Sequence, residues 1–264
     1  MLKGLIVGNE LIPSPQVLNQ AFLWGNVEGY PLTVLAQMLD VYDNEHPSAS
    51  QISGGSWRRS VLERIVDYYA DPAQLIAMLR GTLFHKGLQG VAVPITISTL
   101  REKRITVNLP HNPKVIISGQ VDVYYPQVKR LEDYKTTHQA PSYIKDEHLY
   151  QLAIYYWLLR WSGLEVNQVA IDYISWNSIV QVNTMEGGGL AIQHPYFQDS
   201  DTFENYCLEG WEVLNKGYTK YFVPSMKYCN RKWCSYCPVY WACETLPTSE
   251  TQINPRDLDQ RKVM

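Results

Sequence analysis

Apolar residues recur along the chain at two spacings, and the spacings predict two kinds of secondary structure. In several segments they return every three or four residues, which is typical of a helix with one face against a core. The helices predicted in this way cover residues 32–43, 57–69, 71–85, 147–161 and 203–221. Segment 147–161 is apolar on nearly every side, so we expect that helix to be buried.

Elsewhere the pattern changes to an alternation of apolar, often β-branched, residues with polar ones, which predicts strands. The segments with this pattern are 95–100, 105–109, 115–125, 130–137, 169–176 and 179–184. Helical segments precede, interrupt and follow these strands. We therefore expect an α/β fold with a mixed central β-sheet flanked by helices.

The patterns suggest four consecutive segments. Residues 1–45 form an N-terminal extension of unknown role, and residues 46–200 form the core that contains the sheet. Residues 201–246 supply a C-terminal helix and a cysteine-rich segment that packs on this core. Residues 247–264 are polar, and we expect them to form a frayed tail, as chain ends without anchoring contacts do.

The composition is that of a globular protein without a general affinity for polyanions. Hydrophobic residues make up 45% of the 264 positions, which is enough to bury a core. The formal net charge is -3, so any contact with nucleic acid would depend on a local positive patch. Arg58 and Arg59 are our candidates for DNA contacts in such a patch, although a solvated surface position is the simpler interpretation of each.

The sequence predicts neither a membrane span nor an export signal. No segment approaches the roughly 20 consecutive apolar residues that a membrane helix requires. The N-terminus lacks the long apolar region and the cleavage site of a signal peptide. Four of the five cysteines lie between Cys229 and Cys243, which indicates a metal site in a reducing compartment rather than a set of disulfides. We therefore expect a cytoplasmic protein that has no membrane partner.

Two predicted strands carry the residues of a hydrolytic site. In the first, Asp122 alternates with apolar residues, and a charge in such a strand needs a partner, water or a cation. In the second, Asp133 and Lys135 are two residues apart and project from the same side. Carboxylates bind hard divalent ions, which polarise a phosphate and activate water, and a lysine can neutralise charge on the phosphate. The pattern favours metal-dependent hydrolysis of a phosphodiester.

Four short motifs resemble the RecB-like branch of the PD-(D/E)XK nuclease superfamily. They are GTLFH at 81–85, GQVD at 119–122, EDYKTT at 132–137 and QLAIY at 151–155. Each motif alone is a weak signal, whereas their order and spacing over residues 48–160 are specific. The resemblance implies a restriction-endonuclease-like core within the mixed sheet.

The resemblance also implies a role for each matching residue. The implied ligands of Mg²⁺ or Mn²⁺ are His85, Asp122, Asp133 and the backbone carbonyl of Tyr134. Lys135 would be the catalytic lysine, acting with the two aspartates. Gln151 and Tyr155, which share a helix face, would position the phosphate backbone or Lys135.

Each of these residues also has an ordinary interpretation. His85 alone fits a hydrogen-bonded core histidine, and Gln151 alone fits a tolerated polar residue. Asp133 with Lys135 fits a surface ion pair, which contributes little stability. We expect Glu102 to be an exposed surface residue rather than a further acid of the site.

The cysteine-rich segment has the spacing Cys229-x4-Cys234-x2-Cys237-x5-Cys243. Four thiolates this close can bind either a zinc ion or an iron–sulfur cluster. The last three cysteines resemble those that hold a 4Fe-4S cluster in AddB-type and CRISPR-associated RecB-like nucleases. In those families the fourth cysteine lies upstream of the nuclease core, where this chain has ISGGSWRR without cysteine, so Cys229 would replace it. We favour a structural 4Fe-4S cluster over Zn²⁺, and we read Cys207 as a core residue.

Taken together, these features predict a metal-dependent DNA nuclease, an exonuclease acting on single-stranded DNA or DNA ends. The resemblance implies partners in recombination, such as a helicase, or CRISPR adaptation proteins. A non-catalytic DNA-binding or assembly module that retains the fold and the cysteines is the main alternative. A separate zinc module beside an unrelated enzyme is a third reading, and RNA or branched DNA remains open as the substrate.

Overall fold

The computed structural model describes residues 1–40, 46–89, 98–141, 143–175, 178–183, 195–229, 234, 237–258 and 260. Its helices are α1 (Ser14–Trp24), α2 (Leu32–Leu39), α3 (Ala49–Ser53), α4 (Trp57–Ile65), α5 (Pro72–Gln89), α6 (Asp146–Trp161), α7 (Pro195–Gln198), α8 (Ser200–Lys220) and α9 (Tyr240–Thr245). Its strands are β1 (Leu2–Val7), β2 (Glu10–Pro13), β3 (Asn26–Val27), β4 (Tyr30–Pro31), β5 (Tyr68–Ala70), β6 (Leu100–Asn108), β7 (Ile116–Tyr125), β8 (Arg130–Thr136), β9 (Gln168–Ile174), β10 (Ile179–Asn183), β11 (Phe222–Val223) and β12 (Thr251–Gln252). The predicted α/β class is confirmed.

The chain divides into two compact units, and each is assembled from separate stretches of sequence. The terminal unit comprises Met1–Asn44, Ser56–Arg80 and Val213–Met264, and the central unit comprises Glu45–Gly55 and Gly81–Glu212. The sequence patterns suggested consecutive segments, because periodicity reports which face of an element is buried and not which distant element buries it.

The terminal unit contains the N-terminal segment as an integral part. Its three-stranded sheet has the order β2-β1-β5, with β1 antiparallel to β2 and parallel to β5. Leu2 pairs with Tyr68, so the helix predicted over 57–69 ends at Ile65 and the residues after it form β5. The apolar core of this unit includes Leu5, Val17, Leu35, Leu62 and Val223.

The described part of the polar C-terminal segment, up to residue 258 and at residue 260, is not the frayed tail that we predicted. β12 pairs antiparallel with β11, with Val223 opposite Thr251. Further on, the buried Gln260 side chain accepts a hydrogen bond from the Tyr69 backbone N–H at 2.7 Å and donates to its carbonyl at 3.1 Å. The segment is polar in composition but is held by backbone pairing, which does not require apolar side chains.

The central unit is built on a five-stranded sheet with the order β10-β9-β8-β7-β6. β8 and β9 are parallel, whereas the other neighbours are antiparallel, so the sheet is mixed as predicted. Helix α6 packs against β7 at Gly119, where an added Cβ would lie 2.8 Å from a Tyr155 ring carbon. Only glycine allows this approach, which fixes Tyr155 beside the strand that carries Asp122.

Most predicted elements of the central unit are confirmed to within a few residues. Helix 147–161 is observed as Asp146–Trp161, and strand 115–125 as Ile116–Tyr125. Asp146 and Glu147 occupy the first turn of α6, where negative charge interacts favourably with the helix dipole. The predicted strand 95–100 lies largely outside the described residues.

No helix among those described is both long enough and apolar enough to cross a bilayer.

Candidate active site

Three side chains from three elements of the central unit form a group with metal-binding geometry. His85 on α5, Glu102 on β6 and Asp122 on β7 place one ligand atom each within 4.8 Å of the others. His85 Nδ1 lies 2.9 Å from Glu102 Oε1 and 3.4 Å from Asp122 Oδ1. One imidazole and two carboxylates in this arrangement match the ligand types used by divalent metal ions.

The pairing of β6 and β7 brings the two acids together. Arg101 pairs with Val123 and Lys103 pairs with Val121, so Glu102 lies opposite Asp122. Glu102 has a positive φ of 46°, a left-handed conformation that is uncommon for a residue other than glycine. Such outliers concentrate at functional sites, where the surrounding structure holds them.

Asp122 also interacts with β8. Its Oδ2 accepts a hydrogen bond of 2.7 Å from the backbone N–H of Tyr134. The pairing of β7 with β8 ends at Val123 and Glu132. The Asp122 side chain therefore contacts the β8 backbone one residue beyond the last paired residues. This contact connects the metal-binding group to the strand that carries Asp133 and Lys135.

Asp133 and Lys135 form a second, adjacent part of the site. Lys135 Nζ lies 2.7 Å from Asp133 Oδ2. Asp133 is only 1% exposed, and within the described residues its Oδ1 has no hydrogen-bond donor. A buried carboxylate oxygen without a donor is unfavourable unless a cation or an ordered water satisfies it.

Gln151 and Tyr155 project from one face of α6, and Gln151 Nε2 donates a 2.7 Å hydrogen bond to Tyr155 Oη. Burial raises the pKa of Tyr155 well above its ordinary value, and the negative charges of Asp133 and Asp122 raise it further. Tyr155 is therefore a neutral hydroxyl close to both aspartates, able to donate a hydrogen bond.

Acidic side chains outnumber cationic ones in the described part of the site. Burial, and then repulsion from Asp133, raises the pKa of Asp122 to about 8. The hydrogen bond to Glu102 raises the pKa of His85. Three carboxylates share this region with one lysine, so a bound divalent cation would balance their charge and favour their ionised forms. The residues present therefore fit an Mg²⁺ or Mn²⁺ ion.

The structure brings together most of the residues predicted for the site and adds one. His85 and Asp122 belong to the metal-binding group, with Asp133 and Lys135 beside it. The expectation that Glu102 is an exposed surface residue is wrong, because its side chain is 8% exposed and contacts His85. The sequence offered little signal for its role, because no predicted strand included Glu102 and its position opposite Asp122 depends on the register of β6 and β7. Metal binding by the Tyr134 carbonyl stays a prediction.

Arg58, predicted to contact DNA, has a different environment in the terminal unit. Its side chain is buried, and its guanidinium donates to the carbonyls of Pro224 at 2.6 Å and Pro247 at 3.0 Å. These bonds tie C-terminal segments to α4, so the DNA-contact expectation does not fit Arg58. Arg59 pairs with Glu63 at 2.7 Å.

The four clustered cysteines line one pocket of the terminal unit. Cys229, Cys234, Cys237 and Cys243 share this pocket with Arg59. Arg58 Nε lies 3.1 Å from the Cys243 sulfur. Burial raises the pKa of Cys237 to about 11, so a bound metal would have to displace its proton. Cys207 is buried in the central unit, as its pattern predicted.

Comparison with known proteins assigns the chain to a class. Residues 35–244 match the PD-(D/E)XK nuclease superfamily, and the chain belongs to it. Members of this superfamily are generally nucleases that use Mg²⁺ or Mn²⁺. No curated protein gives a significant match.

Among solved structures, the chain is similar to the crystal structure of SSO0001. That similarity has a TM-score of 0.50 and 15% sequence identity, and it covers 89% of this chain and 96% of the other. At this level of identity the similarity concerns the fold alone.

Proposed function

We propose that this protein is a metal-dependent deoxyribonuclease of the RecB-like branch, an exonuclease acting on single-stranded DNA or DNA ends. The observation that carries the proposal is the group His85, Glu102 and Asp122 beside the buried pair of Asp133 and Lys135. Superfamily membership supports nuclease chemistry in general, and the motifs at 81–85 and 151–155 favour the RecB-like branch.

His85, Glu102 and Asp122 would hold the divalent ion, with Asp133 as a further carboxylate next to it. When bound, the ion would polarise the scissile phosphate and lower the pKa of a water molecule near it. The protein contributes a preformed set of ligands, because the hydrogen bond from Tyr134 fixes the Asp122 carboxylate before substrate arrives.

Lys135 would stabilise the charge that develops on the phosphate during hydrolysis. Its ion pair with Asp133 holds the ammonium group next to the acidic side chains of the site. An ammonium placed there can hydrogen-bond the attacking water or a nonbridging phosphate oxygen. Gln151 and Tyr155 would be positioning residues, since their mutual hydrogen bond fixes a neutral donor close to the aspartates.

The proposal is tested by cleavage of end-labelled single- and double-stranded DNA with Mg²⁺, Mn²⁺ or EDTA. Lys135→Ala should reduce the rate by about a hundredfold or more, the usual effect of removing a transition-state donor. Lys129→Ala is the matched control, because Lys129 is an exposed lysine of the same unit, paired with Glu165. Equal rates in both variants would contradict the proposed role of Lys135. A wild-type protein that binds DNA without cleaving it would favour the non-catalytic alternative.

We also propose that the cysteine pocket holds a 4Fe-4S cluster through Cys229, Cys234, Cys237 and Cys243. Four thiols around one pocket fit this use, and two nearby arginines would offset the charge of the thiolates. Visible absorption with acid-labile sulfide is the expected result; stoichiometric zinc without either would contradict it.

A further inference from the structure

A row of polar side chains extends along β6 and β7 from the metal-binding group. Arg104 donates from Nη1 to Ser118 Oγ at 3.3 Å and from Nη2 to Gln120 Oε1 at 3.4 Å. Gln120 Nε2 in turn donates to Glu102 Oε2 at 2.7 Å, and the other oxygen of Glu102 contacts His85. One hydrogen-bonded row therefore connects an exposed guanidinium to the proposed metal ligands.

The guanidinium is available to a ligand on its solvent side. Arg104 is exposed, and it makes no ion pair with an acid in the part of the chain that is described. Guanidinium carries five N–H donors, and the bonds to Ser118 and Gln120 use only two of them. Because these two bonds restrict the side chain, the remaining donors are oriented before a ligand binds, which suits bidentate recognition of a phosphate.

The distance from the metal-binding group is on the scale of the phosphate spacing in a nucleic-acid strand. Arg104 pairs with Gln120, which lies two residues before Asp122 on β7. Two residues of a strand span about 6.8 Å, and their side chains point to the same face. Successive phosphates of one strand are about 3.4 Å apart along the axis of a stacked helix, and they are farther apart when the strand is extended. A phosphate at Arg104 would therefore be a neighbour, one or two nucleotides along the strand, of a phosphate at the metal-binding group.

We propose that Arg104, held by Ser118 and Gln120, is a binding subsite for the DNA phosphate next to the scissile one. This inference rests on the proposed nuclease function and adds a substrate contact to it. The subsite would set the register of the strand, because holding one phosphate fixes which phosphodiester lies over the metal ligands.

The neighbouring Lys103 provides a matched control. It is also exposed and positively charged, but it is adjacent to Arg104 on the strand and so projects to the opposite face. Its partner across the hairpin is the buried Val121. Removing either side chain lowers the net charge by the same amount, so any difference between the two variants reports position and not overall charge.

The test is fluorescence anisotropy of a labelled, mixed-sequence single-stranded DNA bound to the full-length protein in Ca²⁺, over a series of KCl concentrations. Arg104→Ala should weaken binding by about tenfold at low salt. It should also reduce the slope of log Kd against log salt by about 0.7, the value for one phosphate contact on a single strand. Arg104→Lys should keep most of the slope and lose affinity, because it retains the charge without the planar fork.

Lys103→Ala should leave both the slope and the affinity close to those of the wild type. Equal slopes and affinities for Arg104→Ala and Lys103→Ala would overturn the subsite, while DNA cleavage by the wild type would leave the proposed function intact. A wild-type protein that neither binds nor cleaves DNA would overturn both. An Arg104→Ala variant that unfolds at a lower temperature while keeping the wild-type salt slope would assign Arg104 a structural role and also overturn the subsite.

Discussion

The central unit carries a candidate group of metal ligands and the terminal unit a pocket lined by four cysteines, and the two groups differ in how their charge is balanced. In the central unit, Glu102 and Asp122 lie beside His85. Asp133 is a third carboxylate next to this group, and it forms an ion pair with Lys135. In the terminal unit, Arg58 contacts a cysteine sulfur of a four-cysteine pocket that Arg59 also lines. In the first group three carboxylates outnumber one lysine, whereas the cysteines of the second group have two arginines beside them.

This difference indicates different uses of metal. Oxygen and imidazole ligands with unsatisfied carboxylates suit an exchangeable hard ion that acts on a substrate. Four half-buried cysteines that line one pocket suit a soft metal centre that is retained and contributes to folding. We therefore expect substitutions in the first group to reduce catalysis with little effect on stability. Substitutions among the cysteines should instead lower stability and affect catalysis less.

The largest expected effect is on catalysis. Asp133→Asn keeps the size of the side chain but removes the charge that pairs with Lys135 and faces the proposed ion. The cleavage rate should fall by about a thousandfold. The thermal unfolding temperature should stay within a few degrees of the wild type, and circular dichroism on the same samples checks this. If Asp133→Asn stayed active, or lost activity only because it unfolds, the expected difference between the two groups would be contradicted.

The next effect concerns stability. Cys234→Ala removes one of the four proposed cluster ligands and should lower the unfolding temperature by roughly 5 to 15 °C, since 1 kcal/mol corresponds to about 2 to 4 °C in a chain of this size. Visible absorption should disappear in parallel. Cys207→Ala is a control for loss of a buried thiol outside the pocket, and it should retain the absorption. Visible absorption that persists in Cys234→Ala would show that Cys234 is not a ligand of the cluster.

A smaller effect is expected for Glu102, for which the sequence favoured a surface position over a role as a further acid of the site. Glu102→Gln should weaken binding of Mn²⁺ by about ten- to a hundredfold, because it removes one charged ligand. Activity should then recover at high Mn²⁺ concentration. Glu165→Gln, on an exposed acid of the same unit, should leave Mn²⁺ affinity unchanged in calorimetric titrations. Identical titration curves for both variants would show that Glu102 is not a ligand.

The smallest effect is a dependence of stability on pH in the metal-free protein. Burial and Asp133 raise the pKa of Asp122 to about 8, whereas an unfolded aspartate titrates at about 3.9. Between these values the folded state holds the proton more tightly, so stability should decrease as pH rises from about 4 to about 8. Asp122→Asn should flatten that dependence in thermal melts with EDTA. A wild-type profile that rises over this range would contradict the assignment.

Local pattern was enough to predict β7, β8, β9 and β10 and the side chains on them, whereas β6 begins at Leu100 and includes residues 101–104, which no predicted strand covered. Alternation around Asp122 and the two-residue spacing of Asp133 and Lys135 are properties of a single strand, which the sequence displays directly. The position of Glu102 depends instead on the register of a hairpin whose connection spans residues 109–115. Register fixes which residues oppose one another, and single-strand alternation does not report it.

Contacts between distant segments explain the other differences. Arg58 lies in an amphipathic helix pattern, and such patterns place arginine at the surface. In the structure, carbonyls of Pro224 and Pro247 satisfy its guanidinium inside the terminal unit. Likewise, the residues after Ile65 form a strand because Leu2 pairs with Tyr68. The partners in each of these contacts are more than 60 residues apart in sequence, so no local pattern could reveal the contacts.

The central claim is that His85, Glu102 and Asp122 together hold the divalent ion. Anomalous diffraction from a crystal soaked in Mn²⁺ tests it most directly. The account predicts a peak coordinated by these three side chains, with the Asp133 carboxylate next to it. The claim would be contradicted if Mn²⁺ bound elsewhere, with His85, Glu102 and Asp122 contacting only one another, while the same preparation cleaved DNA.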